Sequence, residues 1–473
     1  MPIVILEHIR KGYLAFNCNA GLDSIGAFLP YLPLHYLLFK ELETDAIVLT
    51  SGNESDIPIL YQEEKALHTF KKITGGLLIN NRKIARRADD SVVKVIDNKP
   101  RIMRRARGYA PEPIDLHFDT SGILAAGGEL SNCFCIGKEK QAILSQHIGD
   151  LKNFETYEFF CENISEFSRL YRFKPSQIVC DLHPDYLSTR YAREANLPIS
   201  QVQHHHAHIT SVMAEYNLKN SVIGISYDGV GYGSDGNIWG SEVMVADYHD
   251  FKRISHFEYL PLPGGDAATK QPWRTALSYL YHALGKDIWQ FNIPFFSKTD
   301  RKEAEKLIVA MDNKINSPLC CSAGRLFDAV AALLCICFES HYHAEAPLLM
   351  ENYLIDDHNE SYSFSGDTQI SFTAMIREII LDITGNKSPG SIVTKFHNTI
   401  ALAALHQVRV AYKESGIKQV ILSGGTFQNK YLTEKLVHLL NQTQFEVFYP
   451  QEVPCNDGGI ALGQLAIAAN KQM

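Results

Sequence analysis

The stretch Val222-Ile223-Gly224-Ile225-Ser226-Tyr227-Asp228-Gly229-Val230-Gly231 decides how the middle of this chain folds. Its apolar start predicts a buried strand, which places Asp228 at the end of that strand beside glycines. The backbone N–H groups of glycines can approach a phosphate closely. The segment is therefore suited to a nucleotide, and its carboxylate is a candidate cation ligand.

A cluster of histidines at positions 204, 205, 206 and 208 lies shortly before this strand. His204 and His208 share one face of a helix, so they can hold a single cation. Histidine content alone favours a solvated, polar helix end, whereas the aspartate–glycine segment that follows favours a metal. We predict a metal next to a phosphate-binding loop, which is typical of nucleotide chemistry.

Two glycine turns lie near the C-terminus. An apolar strand runs into Gly424-Gly425 and a helix is predicted from about Lys430, so an anion can bind at this turn. The second turn, Asn456-Asp457-Gly458-Gly459, opens a helix of small residues. Asp457 is either the N-cap of that helix or a metal ligand, and the sequence leaves these alternatives nearly even.

Other polar positions each allow two interpretations. Apolar residues at helical spacing in the segment 324–330 predict a core face, so Asp328 lies on another face, where it bonds a ribose hydroxyl or meets solvent. The basic stretches 82–87 and 101–107 are either solvated surface, the usual role of a charge run, or a site for a nucleotide and a small anion beside Ser51-Gly52-Asn53.

Composition limits the function classes. The 473 residues suffice for two or three domains with a large core. A net charge of −8 without a strongly basic tail argues against a dedicated nucleic-acid binder. The ten cysteines form no C-x-x-C pair and are expected to be reduced core residues. We find neither a signal peptide nor an apolar run of ~20 residues, and expect a cytoplasmic protein without a membrane span.

Strands and helices alternate along the chain, which predicts an α/β protein. In the first part we predict buried strands at 46–50 and 76–79 and a hairpin over 91–104. Two prolines at 111 and 113 mark a boundary. The predicted elements beyond it are a hairpin over 123–136 and strands at 179–181, 222–226, 242–246 and 420–423. No internal sequence repeat is visible.

The chain resembles the HypF carbamoyltransferases of NiFe-hydrogenase maturation over nearly its whole length. The motifs that carry the resemblance are Ala125-Ala126-Gly127-Gly128-Glu129, Leu144-Ser145-Gln146-His147-Ile148-Gly149-Asp150, Cys180-Asp181-Leu182-His183-Pro184-Asp185-Tyr186, the histidine cluster, residues 324–334 and the two glycine turns. It implies that residues 1–112 are the C-terminal part of a YrdC-like domain. Residues 113–473 then form a carbamoyltransferase domain, related to TsaD and TobZ, with the actin and sugar-kinase fold: two ribonuclease-H-like lobes with nucleotide between them.

The resemblance also implies roles for individual residues. A divalent metal ion (iron, zinc or magnesium) forms the catalytic centre, with the ligands His204, His208, Asp228 and Asp457. ATP or its adenylate contacts Gly229, Gly231, Asp328, Gly424, Gly425 and Asn429. The adenylate site of the YrdC-like part includes Ser51, Asn53, Arg87, Arg104 and Arg107.

The implied reaction turns carbamoyl phosphate and ATP into carbamoyl-adenylate and passes the carbamoyl group to the C-terminal cysteine of the partner HypE. One alternative is another acceptor, either a small molecule or tRNA. A second alternative is an inactive, truncated remnant that only binds nucleotide.

Several departures from the family pattern bear on these alternatives. The modules that precede the YrdC-like part in the family are absent, so we expect a truncated chain whose first 112 residues are less stable and which makes adenylate poorly. We expect the unit from about 119 to transfer a preformed adenylate by itself. The loop 51–59 lacks the family's Gly and Glu, and Ala88, Ala344 and Leu349 replace a cysteine, a glycine and a carboxylate.

Overall fold

Three β-sheets organise the part of the chain that the computed structural model describes, residues 1–7, 15, 18–19, 21–53, 57–355 and 359–471. The strands are Ile3–Glu7, Ser24–Ala27, Val92–Ile96, Lys99–Arg104, Ile114–Asp115, Ile123–Ala125, Cys135–Lys138, Gln141–Leu144, Gln177–Asp181, Ile199–Val202, Val222–Tyr232, Ile238–Ala246, Phe251–Phe257, Leu260–Pro261, Leu319–Cys320, Gln369–Ile370, Gln419–Ser423 and Glu446–Phe448.

Helices cover the outer faces of the second and third sheets and fill the space between these two sheets. The α-helices are Pro33–Glu41, Glu63–Phe70, Phe154–Leu170, Leu187–Glu194, His204–Glu215, Asp266–Lys270, Pro272–Leu284, Pro294–Lys298, Arg301–Asp312, Ala323–Leu333, Glu345–Glu351, Thr373–Thr384, Pro389–Ser415, Lys430–Gln442 and Ile460–Lys471. Short 3₁₀ turns occupy Gly285–Gln290, Gly425–Gln428 and Asp457–Gly459. Among the described helices, none has the length and apolar character that crossing a membrane requires.

The first sheet, called the N-terminal sheet below, contains the four strands between Ile3 and Arg104. The predicted hairpin is confirmed: Val92–Ile96 pairs antiparallel with Lys99–Arg104. Its turn has left-handed backbone at Asp97 and Asn98 (φ 53° and 55°), as a tight hairpin turn of type I′ requires.

The strands predicted at 46–50 and 76–79 are wrong. Both segments lack regular structure, and most of their residues are exposed. An apolar run becomes a strand only when a neighbouring strand satisfies its backbone groups, and within the described residues neither segment has such a partner. Apolar composition alone therefore predicts more regular secondary structure in this region than is present.

The second and third sheets repeat one topology. In the second sheet, three consecutive antiparallel strands between Ile123 and Leu144 are followed by two strands that pair in parallel beside the first of them, Gln177–Asp181 and Ile199–Val202. In the third sheet, the strands between Val222 and Phe257 form the antiparallel set, and Gln419–Ser423 and Glu446–Phe448 add in parallel. This duplication confirms the predicted α/β fold with two ribonuclease-H-like lobes, although the sequence itself shows no repeat.

Two helices lie between these sheets, His204–Glu215 and Ile460–Lys471. They bury nearly all of their residues, including the polar ones of the first helix, as expected for helices enclosed on every side. The helix axes approach very closely at Gly463, where an added Cβ would lie 1.9 Å from the carbonyl oxygen of Ala207. Only glycine permits this approach, and it brings the N-terminal ends of both helices to one place.

The N-terminal sheet is joined to the third sheet through its hairpin. Ile96 and Met103 belong to the same hydrophobic cluster as Tyr227 and Phe427. By contrast, the helices Pro33–Glu41 and Glu63–Phe70 contain no buried residue. The hairpin thus contributes to the main hydrophobic core, whereas the two helices that precede it in the chain do not.

Candidate metal and nucleotide site

The four predicted metal ligands converge at the N-terminal ends of the two central helices. His204 and His208 lie one turn apart on the first of these helices. Asp228 comes from the strand Val222–Tyr232, and Asp457 from the 3₁₀ turn before the last helix. One ligand atom from each of the four residues lies within 4.8 Å of the others.

The distances between these side chains suit a shared cation. His208 Nε2 lies 3.1 Å from Asp228 Oδ2 and 3.7 Å from Asp457 Oδ1. His204 Nε2 lies 3.4 Å and 3.7 Å from the same two oxygens. This nitrogen is buried and has no hydrogen-bond partner among the described residues, so a bound cation or a proton facing these carboxylates must satisfy it. Two imidazole nitrogens and two carboxylate oxygens form a donor set that fits zinc or iron, and magnesium less closely.

Neighbouring groups fix the orientation of two ligands. Asp181 Oδ2 lies 2.7 Å from His204 Nδ1, and both side chains are fully buried. A proton on Nδ1 bonds to Asp181 and leaves the Nε2 lone pair directed at the site. Asp228 Oδ1 accepts hydrogen bonds from the N–H groups of Gly229 (2.8 Å) and Gly425 (3.1 Å). The other oxygen of Asp228 therefore stays available to a metal.

The sequence reasoning missed Asp181, although this residue lies in a motif that carries the family resemblance. Its role depends on a contact between the end of the strand Gln177–Asp181 and a helix that begins more than twenty residues later. No sequence spacing signals this contact. A carboxylate that ends a strand shortly before a histidine-rich helix is the signal that could have found it.

Charges within the site are mutually compensated. Burial favours the neutral form of His204, but Asp181, Asp457 and Asp228 raise its pKa well above the ordinary value. Burial likewise opposes ionisation of Asp228, yet His204 and His208 hold its pKa well below the ordinary value. Protons on the histidines therefore compete with a metal, and metal binding must release them.

Asp457 is free to act as a ligand because its neighbour fills the capping role. The Asn456 side chain accepts a hydrogen bond of 3.0 Å from the N–H of Gly458, as an N-cap does. Asp457 instead points towards the histidines. Of the two alternatives left by the sequence, the geometry favours the ligand.

The predicted end of the strand at Asp228 is wrong in detail. The strand continues to Tyr232, with a register shift between Tyr227 and Gly231. Parallel pairing with the strand Gln419–Ser423 ends at Ser226. The sheet therefore opens beside Asp228 through an irregularity within the strand, as bulges near functional sites commonly do.

Several predicted nucleotide-binding positions lie next to the metal ligands. A Cβ added at Gly425 would lie 3.0 Å from Asp228 Oδ1, so this turn adjoins the site directly. Asp328 is only 2% exposed and pairs with Arg325 at 2.9 Å, which rules out the solvent-facing alternative. Burial raises the pKa of Asp328 to about 6, against the opposing effect of Arg325.

Two further predicted nucleotide-binding positions, Asn429 and Gly231, differ in what they offer to a ligand. Asn429 Oδ1 accepts the N–H of Leu432 (2.9 Å), and its amide nitrogen lies 3.0 Å from His397 Nε2. One amide hydrogen of Asn429 remains for a ligand. Gly231 instead packs behind the histidines, since an added Cβ there would lie 2.4 Å from the His205 ring. The geometry thus gives Gly231 a packing role, while its predicted nucleotide contact stays a prediction.

A buried charged group behind the metal ligands was not predicted. His205 Nδ1 lies 3.3 Å from Glu242 Oε2, and Glu242 Oε1 accepts a hydrogen bond of 2.8 Å from Arg253. Burial raises the pKa of Glu242 to about 7, although Arg253 opposes this. The three residues come from one helix and two strands, so their association could not be found from sequence spacing.

The predicted adenylate-site residues of the N-terminal part are only partly brought together. Arg104 donates to the carbonyl of Asp90 (2.9 Å), and Arg107 lies 3.5 Å from the Asp90 carboxylate. Arg87 lies over the ring of Phe159, 3.3 Å from its centre. Ser51 lies on an exposed turn, where it bonds to Asn53.

Neither of the two interpretations of the basic stretch 101–107, solvated surface or an anion site, accounts for all of its arginines. Arg101 and Arg105 are about 5% exposed or less and bond to backbone carbonyls, so this stretch is not simply solvated surface. The departures from the family pattern in the loop 51–59 fall at positions 56 and 57. Asp56 lies outside the described residues, whereas Ile57 is described, and its carbonyl accepts a hydrogen bond of 3.0 Å from the Asn53 amide.

Comparison with protein-family models covers most of the chain. The model described as "Carbamoyltransferase, Kae1-like Domain, second subdomain" matches residues 224–464, more than half of the chain. The chain belongs to the HypF carbamoyltransferase family. A "HypF Kae1-like domain" model matches residues 119–215, and a Sua5–YciO–YrdC model described as "Telomere recombination" matches residues 1–106.

Individual family members agree with this assignment. Carbamoyltransferase HypF of Synechocystis sp. is 37% identical over 98% of the chain and 62% of its own length. A carbamoyltransferase HypF homolog of Cupriavidus necator is 30% identical over 75% of the chain and 93% of its own length. The crystal structure of full-length HypF in its phosphate- and nucleotide-bound form superposes with a TM-score of 0.93 at 42% identity, covering 99% of the chain and 74% of that protein. The chain spans less than two thirds of the length of the Synechocystis relative.

Proposed function

We propose that this chain is a carbamoyltransferase of hydrogenase maturation that transfers a carbamoyl group from carbamoyl-adenylate to the C-terminal cysteine of HypE. The observation that carries the proposal is the convergence of His204, His208, Asp228 and Asp457 beside the glycine turn at Gly425. The names of the relatives support the reaction class, and the nucleotide- and phosphate-bound family member supports a nucleotide substrate.

A divalent ion (iron, zinc or magnesium) is the proposed cofactor. The buried Nε2 of His204 supports this, because it has no hydrogen-bond partner among the described residues and two carboxylate oxygens lie 3.4 Å and 3.7 Å from it. Bound there, the ion would supply Lewis-acid stabilisation of phosphate or carbonyl oxygens. The protein's own part is to hold the ligands: Asp181 orients His204, and two backbone N–H groups fix Asp228.

We propose that the adenylate lies against the residues that adjoin these ligands. Gly424 and Gly425 let the backbone approach a phosphate, and the remaining amide hydrogen of Asn429 can bond a nucleotide oxygen. The buried carboxylate of Asp328 is suited to a ribose hydroxyl, which would satisfy its oxygens. Gly229 lies between Asp228 and Arg325.

The transfer itself needs no nucleophile from this chain. The acceptor thiol loses its proton to solvent, and its sulfur forms a bond to the carbonyl carbon of the mixed anhydride. The bond from that carbon to the phosphate oxygen breaks, and AMP leaves with the electron pair. Orientation of the anhydride and stabilisation of the departing phosphate are then the main demands on the protein.

We further propose that adenylate formation and carbamoyl transfer use different sites, the first within residues 1–112 and the second within residues 113–473. Carbamoyl phosphate and ATP would react in residues 1–112, around Arg87, Arg104 and Arg107 together with Ser51 and Asn53. The clustering of Arg104 and Arg107 around Asp90 supports an anion site in this part.

The test supplies purified HypE with the chain and either synthetic carbamoyl-adenylate or carbamoyl phosphate with ATP. The mass of HypE is then measured with its terminal cysteine intact or replaced by alanine. We expect one carbamoyl group on the intact cysteine and none with the His204→Ala variant of this chain. An unmodified HypE from both carbamoyl sources, or modification of tRNA instead, would contradict the proposal.

A further inference from the structure

The segment that leads to the ligand Asp457 is held from one side by the N-terminal sheet. Arg101, on the strand Lys99–Arg104, donates hydrogen bonds to the carbonyls of Tyr449 (2.7 Å) and Pro450 (3.0 Å). Its guanidinium also lies 4.3 Å above the centre of the Tyr449 ring. The next N–H of the strand, from Ile102, bonds to the carbonyl of Gln451 at 3.1 Å. Three consecutive carbonyls of this segment thus point at one strand.

From the other side, the same segment is held by the helix that carries the histidine ligands. Glu215, the last residue of His204–Glu215, accepts hydrogen bonds from the N–H groups of Gln451 (2.8 Å) and Glu452 (3.0 Å). Residues 449–452 are therefore held between Arg101 and Glu215, mainly through backbone groups. The ring of Tyr449 adds a side-chain contact with Arg101.

The contacts continue up to the ligand. The Asn456 side chain, which caps the turn containing Asp457, also donates to the carbonyl of Met103 at 3.2 Å. The carbonyl of Cys455 accepts a hydrogen bond of 2.9 Å from the N–H of Gly424. Asp457 thus lies at the end of a segment whose position depends on the strand Lys99–Arg104.

We infer that Arg101 is a positioning residue for the proposed metal ligand Asp457. The hairpin over 92–104 then contributes to the metal centre by fixing the position of that ligand. The inference rests on the proposed metal site. Arg101 is 5% exposed, so its hydrogen bonds are protected from water, and it spans two carbonyls that no shorter side chain could reach together. Contrary to the expectation from the sequence, residues beyond 119 would not make a complete transferase unit without this hairpin.

The test uses the full chain with Arg101→Met, which keeps an unbranched side chain but removes the guanidinium. Ile96→Ala is the matched control. Ile96 belongs to the same hairpin, is fully buried, and its apolar side chain makes no hydrogen bond to residues 449–457. The dissociation constant of Zn²⁺ is measured by competition with a coloured chelator, together with the thermal unfolding temperature.

We expect Arg101→Met to weaken Zn²⁺ binding by up to roughly 10-fold, the lower end of the effect of losing a group bonded directly to a metal ligand, because Arg101 acts through residues 449–456. Ile96→Ala should also lower the unfolding temperature, because it removes buried apolar volume, but it should leave Zn²⁺ affinity nearly unchanged. Arg101→Lys keeps the charge and one hydrogen bond, so its Zn²⁺ affinity should lie between those of wild type and Arg101→Met. If Arg101→Met does not fold, Arg101→Lys is used in its place.

Two outcomes would overturn the inference and are distinguishable. If His204→Ala loses Zn²⁺ while both Arg101 variants retain wild-type affinity, Arg101 only joins the two parts of the chain and the metal site stands. If His204→Ala itself binds Zn²⁺ as tightly as wild type, the proposed metal site is wrong and the inference falls with it.

Discussion

At the scale of single residues, two of the proposed metal ligands, His204 and Asp457, each depend on one neighbour. Asp181 selects which nitrogen of His204 is protonated, and Asn456 takes over the capping role that would otherwise occupy Asp457. These neighbours bind no substrate in the proposed mechanism. Substituting them therefore tests how the ligands are oriented without removing a group that contacts substrate.

We predict that Asp181→Asn weakens Zn²⁺ binding by roughly 10- to 100-fold while the chain stays folded. The amide can donate to His204 Nδ1, which favours the proton on Nε2, where the metal should bind. Competition with a chelator measures the affinity, and circular dichroism checks the fold. Asp185→Asn, on an exposed position nearby, is the control. An affinity equal to wild type in Asp181→Asn would remove Asp181 from the site.

A second prediction concerns Ala344, which stands where the family pattern has glycine. Its backbone is left-handed (φ 60°), immediately before the helix Glu345–Glu351. This conformation costs an L-residue about 1 kcal/mol or more, whereas glycine adopts it freely. Ala344→Gly should therefore raise the free energy of unfolding by about 0.5–1 kcal/mol in denaturant titrations. Ala310→Gly, inside the helix Arg301–Asp312, should lower it by up to about 1 kcal/mol.

Much of the site could be predicted at this scale, because helical spacing alone places His204 and His208 on one face. The choice between ligand and cap at Asp457 could not, since both roles need the same residue at the start of a helix. Nor could Arg101 be separated from the other arginines of its stretch. Which arginine is buried depends on where the strand Lys99–Arg104 meets residues 449–451.

At the scale of elements, the metal centre depends on how closely two helices approach. His204–Glu215 and Ile460–Lys471 each follow the last strand of a different sheet, and their contact at Gly463 sets the separation between the two histidines and Asp457. A change in this separation moves ligands that no substitution has touched.

We predict that Gly463→Ala destabilises the chain by several kcal/mol and weakens Zn²⁺ binding. The added methyl group would meet the carbonyl of Ala207 at 1.9 Å, so the helices must separate. Gly75→Ala is the matched control, because an added Cβ there meets nothing within 4 Å. Thermal unfolding and chelator competition measure the two effects. Wild-type behaviour of Gly463→Ala would mean that the helices are not packed as described.

The contact between a helix and a loop should also create a pH dependence. Burial raises the pKa of Glu215 to about 7, although the N–H groups of Glu452 and Gln451 oppose this. The stabilisation from the protonated form is complete below the ordinary value of 4.5 and is lost as the pH rises through about 7. Glu215→Gln keeps an acceptor without charge and should be more stable than wild type at pH 8, by at most about 3 kcal/mol.

Urea titrations at pH 5 and pH 8 measure this effect. The difference between Glu215→Gln and wild type should nearly vanish at pH 5, where Glu215 is protonated. Glu112→Gln, at an exposed position, should show no difference at either pH. A Glu215→Gln variant that is less stable than wild type at pH 8 would show that the folded chain favours the ionised carboxylate, so that the pKa of Glu215 is not raised.

Strands were predictable where apolar runs and turn residues coincide, as in the hairpins at 91–104 and 123–136. They were not predictable where an apolar run lacks a partner strand, as at 46–50, or where a strand bends without ending, as at Asp228. Pairing is a long-range property, and a sequence window does not contain the partner.

At the scale of the whole molecule, stability is expected to be uneven within the N-terminal part. The hairpin over 92–104 buries Val93, Ile96, Ile102 and Met103, whereas the helices Pro33–Glu41 and Glu63–Phe70 bury nothing. The expectation from the sequence that residues 1–112 are less stable therefore does not apply to all of these residues. Only the segment before the hairpin has the character of a weakly held region.

We predict that hydrogen exchange separates these two segments. Amides of the helices Pro33–Glu41 and Glu63–Phe70 should exchange early, and those of Val92–Ile96 and Lys99–Arg104 should exchange with the central helices. Mass spectrometry of peptic fragments measures both in one experiment. Equal protection of the two segments, or loss of the hairpin before the helices, would contradict this division.

The wide separation of the proposed metal ligands along the chain has a consequence for the order of folding and metal binding. Zinc fingers fold around their metal because the ligands are neighbours in sequence, whereas here the ligands lie at 204, 208, 228 and 457. In an unfolded chain, closing such long loops opposes simultaneous binding of all four. Metal loading should therefore follow folding, and a chelator should strip the ion while circular dichroism stays nearly constant. Metal supply would then decide how many folded molecules are active, and chain folding would proceed without it.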